Sequence, residues 1–146
     1  VYEDLKDYEQ SKTACQQALS IQSTYYGQDH IALANTLVVL ARAEGGLGHY
    51  PQKKQLLKQA LSIGVNHYGE QHPEIAFTLK NLANAYGELG NQNKKLEILQ
   101  QILIIQTNCY AKNHRLVAET AIEIGLIYDN IGQPSKVIIW IELALP

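Results

Sequence analysis

The chain repeats itself with a period of 42 residues along its 146-residue length. Three stretches align without a gap: YYGQDHIALANTL at 25–37, HYGEQHPEIAFTL at 67–79 and CYAKNHRLVAETA at 109–121. Each stretch carries a histidine at the same place, as His30, His72 and His114. A fixed period of this length is typical of proteins built from stacked repeats, and it limits the fold more than any other feature of the sequence.

Apolar residues within each repeat follow a helical period. From Ile75 to Leu89, an apolar residue recurs every three or four positions, which predicts an amphipathic helix. Gly90 follows and suits a left-handed helix end, whereas Pro51, Pro73 and Pro134 suit the first turns of helices. Each repeat is therefore predicted to be two antiparallel helices. About seven helices are expected, at about 3–24, 30–46, 51–67, 73–88, 92–109, 115–130 and from about 134.

A single helix pair cannot bury its own apolar face, so neighbouring pairs must stack. We therefore expect an all-α fold, a right-handed α-solenoid that forms one array over residues 1–146. The predicted parts are the second helix of a partial repeat at 1–27, repeats at 28–69 and 70–111, and a truncated repeat at 112–146. The chain starts at Val1 and contains no methionine, which favours a fragment of a longer protein.

The last predicted helix carries an apolar cluster of Val137, Ile138, Trp140 and Ile141. We expect this surface to pack on a further repeat or, in the isolated fragment, to support end-to-end self-association.

Charge and composition argue against several kinds of partner. The net charge is -2 with both signs interspersed, so neither nucleic acid nor an anionic membrane surface is expected to bind. No apolar run approaches the roughly 20 residues of a membrane span, so no membrane insertion is expected. Cys15 and Cys109 stand far apart, which favours two reduced, buried thiols and a cytoplasmic location.

The paired histidines His67 and His72 invite a metal-site or acid–base interpretation, since Glu70 and Glu74 stand close by. However, equivalent positions in stacked helical repeats lie roughly 10 Å apart, too far for one ion to bridge. We instead predict that the repeated histidines cap the first helix of each repeat, with Glu70 in a turn and Glu74 in a first helical turn. No catalytic or phosphate-binding motif is present, so no enzyme activity, cofactor or metal is predicted.

One segment, LKNLANAYGELGNQNKKLEILQQIL at 79–103, resembles a tetratricopeptide repeat, with Ala83 as its small core residue and a turn at Leu89-Gly90. The 42-residue spacing is similar to that of kinesin light chain and related proteins. HEAT-like repeats have a similar length but lack this Leu-Gly turn. The sequence departs from the family pattern at Lys53 and Lys95, which replace a small alanine and must direct their ammonium groups outward.

The resemblance implies a protein-interaction scaffold that holds a partner peptide or domain in its concave groove. The alternative is a regulatory or sensor repeat region of a larger protein whose catalytic or NTP-binding domain lies elsewhere. The predicted concave positions, which the competing interpretation treats as solvated helix faces, are Asn35, Val38, Val39, Arg42, Phe77, Lys80, Asn81, Asn84, Glu88, Glu119, Ile122, Glu123 and Leu126.

Each kind of groove residue has an expected role. Asn81 and Asn84 would clamp a peptide main chain, as asparagines do in this repeat class, and Phe77 or Val38 would seat an apolar side chain. Arg42 and Lys80 would attract an acidic residue, which Glu119 and Glu123 would repel.

Overall fold

The computed structural model describes residues 2–111 and 114–132, and the described chain is helical with short turns. Its six helices are α1 (Tyr2–Tyr26), α2 (Ala32–Gly46), α3 (Tyr50–Tyr68), α4 (Pro73–Glu88), α5 (Gln92–Cys109) and α6 (Arg115–Asn130). These bounds lie within about two residues of the predicted ones. The seventh predicted helix, with Pro134 and its apolar cluster, lies outside the described residues.

Helix ends follow the local signals that the sequence carries. Pro73 is the first residue of α4, and Pro51 is the second residue of α3. Gly48, Gly90 and Gly132 have φ angles of 82°, 82° and 78°, the left-handed conformation that closes α2, α4 and α6. A side chain at these positions would be strained, because a Cβ disfavours positive φ.

The chain divides into two compact units, Val1–Glu70 and Gln71–Pro146. In the first unit α2 packs against both α1 and α3, and in the second unit α5 packs against both α4 and α6. The division falls within one residue of the predicted boundary between the two complete repeats. The grouping of all repeats into one array stays a prediction.

Each unit is held together by its own apolar core. Leu37, Ala41 and Leu57 are at most 2% exposed in the first unit, and Ile75, Leu99 and Ile124 are equally buried in the second. Full burial of each large aliphatic side chain contributes roughly 1.5–3 kcal/mol. The helices are therefore stabilised by this packing more than by intrinsic helix propensity.

The two lysines that replace a small residue are accommodated by glycines on the facing helix. A Cβ on Gly45 would lie 2.7 Å from Cδ of Lys53, and a Cβ on Gly87 would lie 3.0 Å from Cδ of Lys95. The aliphatic part of each lysine thus packs directly against the backbone of the facing helix at a glycine, where no side chain intervenes. This pairing explains how the departure from the family pattern is tolerated.

The first unit also buries one charged group. The Glu44 side chain is 8% exposed and contacts Nζ of Lys12 at 3.2 Å and Nδ1 of His49 at 2.6 Å. Burial raises the pKa of Glu44, but the hydrogen bonds from His49 and Lys12 outweigh it, so the pKa lies below 4.5. Glu44 therefore stays ionised at neutral pH inside the unit.

Candidate functional site

The repeated histidines are structural caps, as predicted. Nδ1 of His30, His72 and His114 accepts a hydrogen bond from the backbone N–H two residues later, at 3.1, 3.2 and 3.2 Å respectively. His30 and His114 also stack on Tyr26 and Tyr110, with ring centroids 4.3 and 4.4 Å apart. Because Nδ1 accepts a hydrogen bond from a backbone N–H, it cannot bind a metal at the same time. Within residues 2–111 and 114–132, no group of three His, Cys, Asp or Glu residues could hold an ion.

The second unit contains an open pocket beside helices α4 and α6, above the last turn of α5. We call it the α4/α6 pocket, and its volume is about 670 Å³. Its lining consists of Pro73, Glu74, Ala76, Phe77, Lys80, Asn81, Asn84, Ile105, Gln106, Tyr110, Leu116, Glu119 and Thr120. The pocket therefore combines apolar surface with carboxamide groups and charges of both signs.

Apolar surface is available to a ligand in this pocket. Phe77 is 55% exposed and Leu116 is 37% exposed, whereas Ile105, which also lines the pocket, is fully buried. An exposed phenyl ring on a helix offers a large apolar contact area at little conformational cost to a partner. The pocket can therefore receive an apolar group as well as a polar one.

Charges beside the pocket largely neutralise one another. Nζ of Lys80 lies 3.7 Å from Oε1 of Glu123, and Nε of Arg115 lies 2.7 Å from Oε1 of Glu119. The hydrogen bond from Arg115 lowers the pKa of Glu119 below its ordinary value, so this carboxyl is ionised at neutral pH. The pocket thus presents paired charges, rather than the separate attractive and repulsive positions that the sequence suggested.

Five of the predicted binding residues line the α4/α6 pocket. They are Phe77, Lys80, Asn81, Asn84 and Glu119. Glu123 joins them through Lys80, and Ile122 and Leu126 are 52% and 58% exposed on α6. Glu88 is exposed at the end of α4, and Asn35, Val39 and Arg42 are exposed on α2 in the first unit. Their roles in binding stay predictions.

Two expectations from the sequence are corrected. Val38, expected to seat an apolar side chain at the surface, is only 5% exposed, because α2 packs against helices on two sides and its buried face is wide. Cys109, expected to be buried, is exposed at the end of α5, whereas Cys15 is buried as expected. Sγ of Cys109 lies 3.5 Å from the backbone oxygen of Gln71 at the surface of its unit.

Sequence reasoning missed the polar pair between Gln106 and Thr120. Oγ1 of Thr120 donates to Oε1 of Gln106 at 2.7 Å and also lies 3.0 Å from the backbone oxygen of Leu116. Gln106 and Thr120 both line the pocket and are at least nine-tenths buried. The equivalent bond joins Thr36 to Gln22 at 2.8 Å in the first unit. The sequence does carry a signal for this pair, because Gln22 and Gln106 are separated by twice the repeat length, and so are Thr36 and Thr120.

One family model matches the first part of the chain. Residues 1–64 match the family model described as Tetratricopeptide repeat, which confirms the resemblance. The fold of the described chain is that of tetratricopeptide-repeat α-solenoids, and the predicted fold class is confirmed. No curated protein matches the chain.

Two solved structures are similar in fold. One is a Podosopora anserina protein described as a kinesin light chain with nearly identical TPR-like repeats, with a TM-score of 0.79 at 20% identity over 98% of this chain and 72% of that one. The other is BtubC (BKLC) from P. vanneervenii, with a TM-score of 0.85 at 18% identity over 95% of this chain and 56% of that one. At these identities, the likeness establishes the fold of kinesin light chain-like repeats.

No helix in the described ranges is both long and apolar enough for a membrane crossing.

Proposed function

We propose that this chain is a protein-interaction scaffold and that the α4/α6 pocket binds a segment of a partner protein. The tetratricopeptide fold generally mediates protein–protein interaction, which supports the coarse assignment. The finer assignment depends chiefly on one observation, the open pocket of about 670 Å³ that gathers five of the predicted binding residues.

The chemistry of the lining suits an extended peptide. An extended strand has main-chain N–H and C=O groups that need partners, and a carboxamide supplies both a donor and an acceptor. Asn84 has no hydrogen-bond partner within the described part of the chain, so its amide is available to a ligand. The exposed ring of Phe77 provides an adjacent apolar contact.

A preformed pocket on rigid helices also limits the entropy lost on binding. Asn81 and Asn84 lie on one helix, so their spacing is set before a ligand arrives. Binding by a preformed groove with a few polar contacts is the mechanism that we infer.

An array of terminally blocked peptides, followed by fluorescence polarisation on the best binders, tests the proposal. Asn84→Ala is expected to weaken the best peptide by roughly fivefold, the effect of losing a hydrogen bond of about 1 kcal/mol. Asn93→Ala is the matched control, since Asn93 is exposed on α5 and does not line the pocket. Equal affinity of both variants and the parent chain would show that the pocket is not the binding site.

A further inference from the structure

Gln106 differs from the other carboxamides of the pocket because it is almost completely buried. It is 7% exposed in the last turn of α5, and its Oε1 is occupied by the Thr120 hydroxyl. No partner for its Nε2 group exists among the described residues. Gln106 lines the pocket, and no fully buried side-chain nitrogen or oxygen in the described ranges lacks a partner, which favours an Nε2 group that is accessible from the pocket.

An unused acceptor stands on the wall of the same pocket. Nδ2 of Asn81 donates to the backbone oxygen of Phe77 at 3.0 Å, which fixes that amide and leaves Oδ1 without a partner in the described chain. Asn84, one turn further along α4, has no hydrogen-bond partner in the described chain and contributes a second unused acceptor. The pocket therefore offers a recessed donor together with acceptors on its wall.

Charge then limits which ligand groups fit. Lys80 and Glu119 are each paired to a neighbouring side chain, whereas the Glu74 carboxylate at the pocket has no partner in the described residues. The unpaired charge of the lining is thus negative. A ligand carboxylate would be repelled there, although its oxygens could accept from Gln106.

We propose that the α4/α6 pocket selects a peptide that inserts one asparagine or glutamine side chain onto Gln106. The ligand carbonyl oxygen accepts from Nε2 of Gln106, and the ligand NH₂ group donates to Asn81 or Asn84. An aliphatic ligand side chain would displace water from Nε2 of Gln106 without replacing its hydrogen bond, and an unsatisfied donor is costly in a recessed site. This inference depends on the proposed function, because it names the residue that the bound peptide contributes.

A library of randomised, terminally blocked octapeptides tests the inference. After selection on the parent chain, one position is expected to contain asparagine or glutamine about tenfold more often than leucine or aspartate, as the loss of one buried hydrogen bond implies. Gln106→Leu is expected to abolish this preference and favour leucine. Gln106→Glu retains an acceptor for Thr120 and is expected to favour lysine at the same position, so it also tests the site if Gln106→Leu does not fold.

Gln22→Leu is the matched control. It removes the same type of Gln–Thr bond, to Thr36 in the first unit, but Gln22 does not line the pocket, so the amide preference should persist. Enriched peptides without an amide preference, or with one that survives both Gln106 variants, would overturn the inference and leave the proposed function standing. A library with no enriched peptide at all would overturn both.

Discussion

Replacing the buried carboxylate of Glu44 is the sharpest test of the packing in the first unit. Glu44→Gln keeps the shape of the side chain and removes its charge. Nδ1 of His49 and Nζ of Lys12 lie 2.6 and 3.2 Å from the carboxylate oxygens, so two charge-assisted hydrogen bonds are weakened together. Such bonds contribute about 1.5–3 kcal/mol each when they are fully buried.

The expected loss is smaller than that sum, because the partners are partly solvated. The side chains of Lys12 and His49 are 25% and 45% exposed, so water replaces some of each lost interaction. We therefore expect Glu44→Gln to lower the free energy of unfolding by about 1–2 kcal/mol near neutral pH.

The direction of the pH dependence follows from the lowered pKa of Glu44. Its ordinary pKa is 4.5, and in the folded chain the pKa is lower, so folding favours the ionised form. The stabilisation is complete above the ordinary pKa and is lost as the pH falls through the lowered value. The difference between parent and Glu44→Gln should therefore shrink in strong acid.

Urea denaturation followed by far-UV circular dichroism measures this difference near pH 7 and below the lowered pKa. Glu97→Gln is the control, because the Lys94–Glu97 pair at 3.3 Å is exposed on one helix and is expected to contribute less than about 0.5 kcal/mol. The reasoning is refuted if Glu44→Gln is as stable as the parent near pH 7. It is also refuted if the loss is the same in acid.

Two further predictions concern local packing and capping. Gly46→Ala should lower the free energy of unfolding by about 1–3 kcal/mol, because the new Cβ would lie 2.5 Å from the ring of Tyr8. In thermal denaturation, the double variant with Tyr8→Ala should lose less stability than the two single variants added together, and full additivity would contradict this contact. His30→Ala should lower the free energy of unfolding by about 1 kcal/mol, because the N–H of Ala32 loses its acceptor, whereas His30→Asn keeps a capping group and should lower it less. Equal losses for the two variants in urea denaturation would show that His30 does not act as a cap.

Helix positions were predictable because their signals are local. A glycine forced to positive φ ends a helix and a proline begins one, whatever the rest of the chain does, and Pro73 and Gly90 set the limits of α4 in this way. The repeat then supplied the glycine signal three times, as Gly48, Gly90 and Gly132. The cap role of the histidines followed from the same periodicity, since one recurring residue could not be explained by a single metal site.

Three of the missed features depend on contacts between helices. Val38 was expected at the surface because its helical phase alone was considered, whereas α2 is covered by both α1 and α3. The bond between Gln106 and Thr120 joins two helices whose relative axial position the pattern does not give. The fit of Lys53 over Gly45 likewise requires knowledge of which residues face each other.

We expect partner recognition to depend on surface positions whose residue type differs from one repeat to the next. The core keeps its residue type at each period, as at Leu33, Ile75 and Val117, all at most 3% exposed. Residues at the repeat positions of the pocket-lining Phe77 and Asn84 change type at every period, as in the series Asn35, Phe77, Glu119 and the series Arg42, Asn84, Leu126. Core positions tolerate few substitutions, because each repeat must pack against similar neighbouring repeats. Surface positions only need to remain hydrated, so they can vary. The carboxamides of the α4/α6 pocket, Asn81, Asn84 and Gln106, all come from the repeat at 70–111, and Gln106 is the buried member of this set.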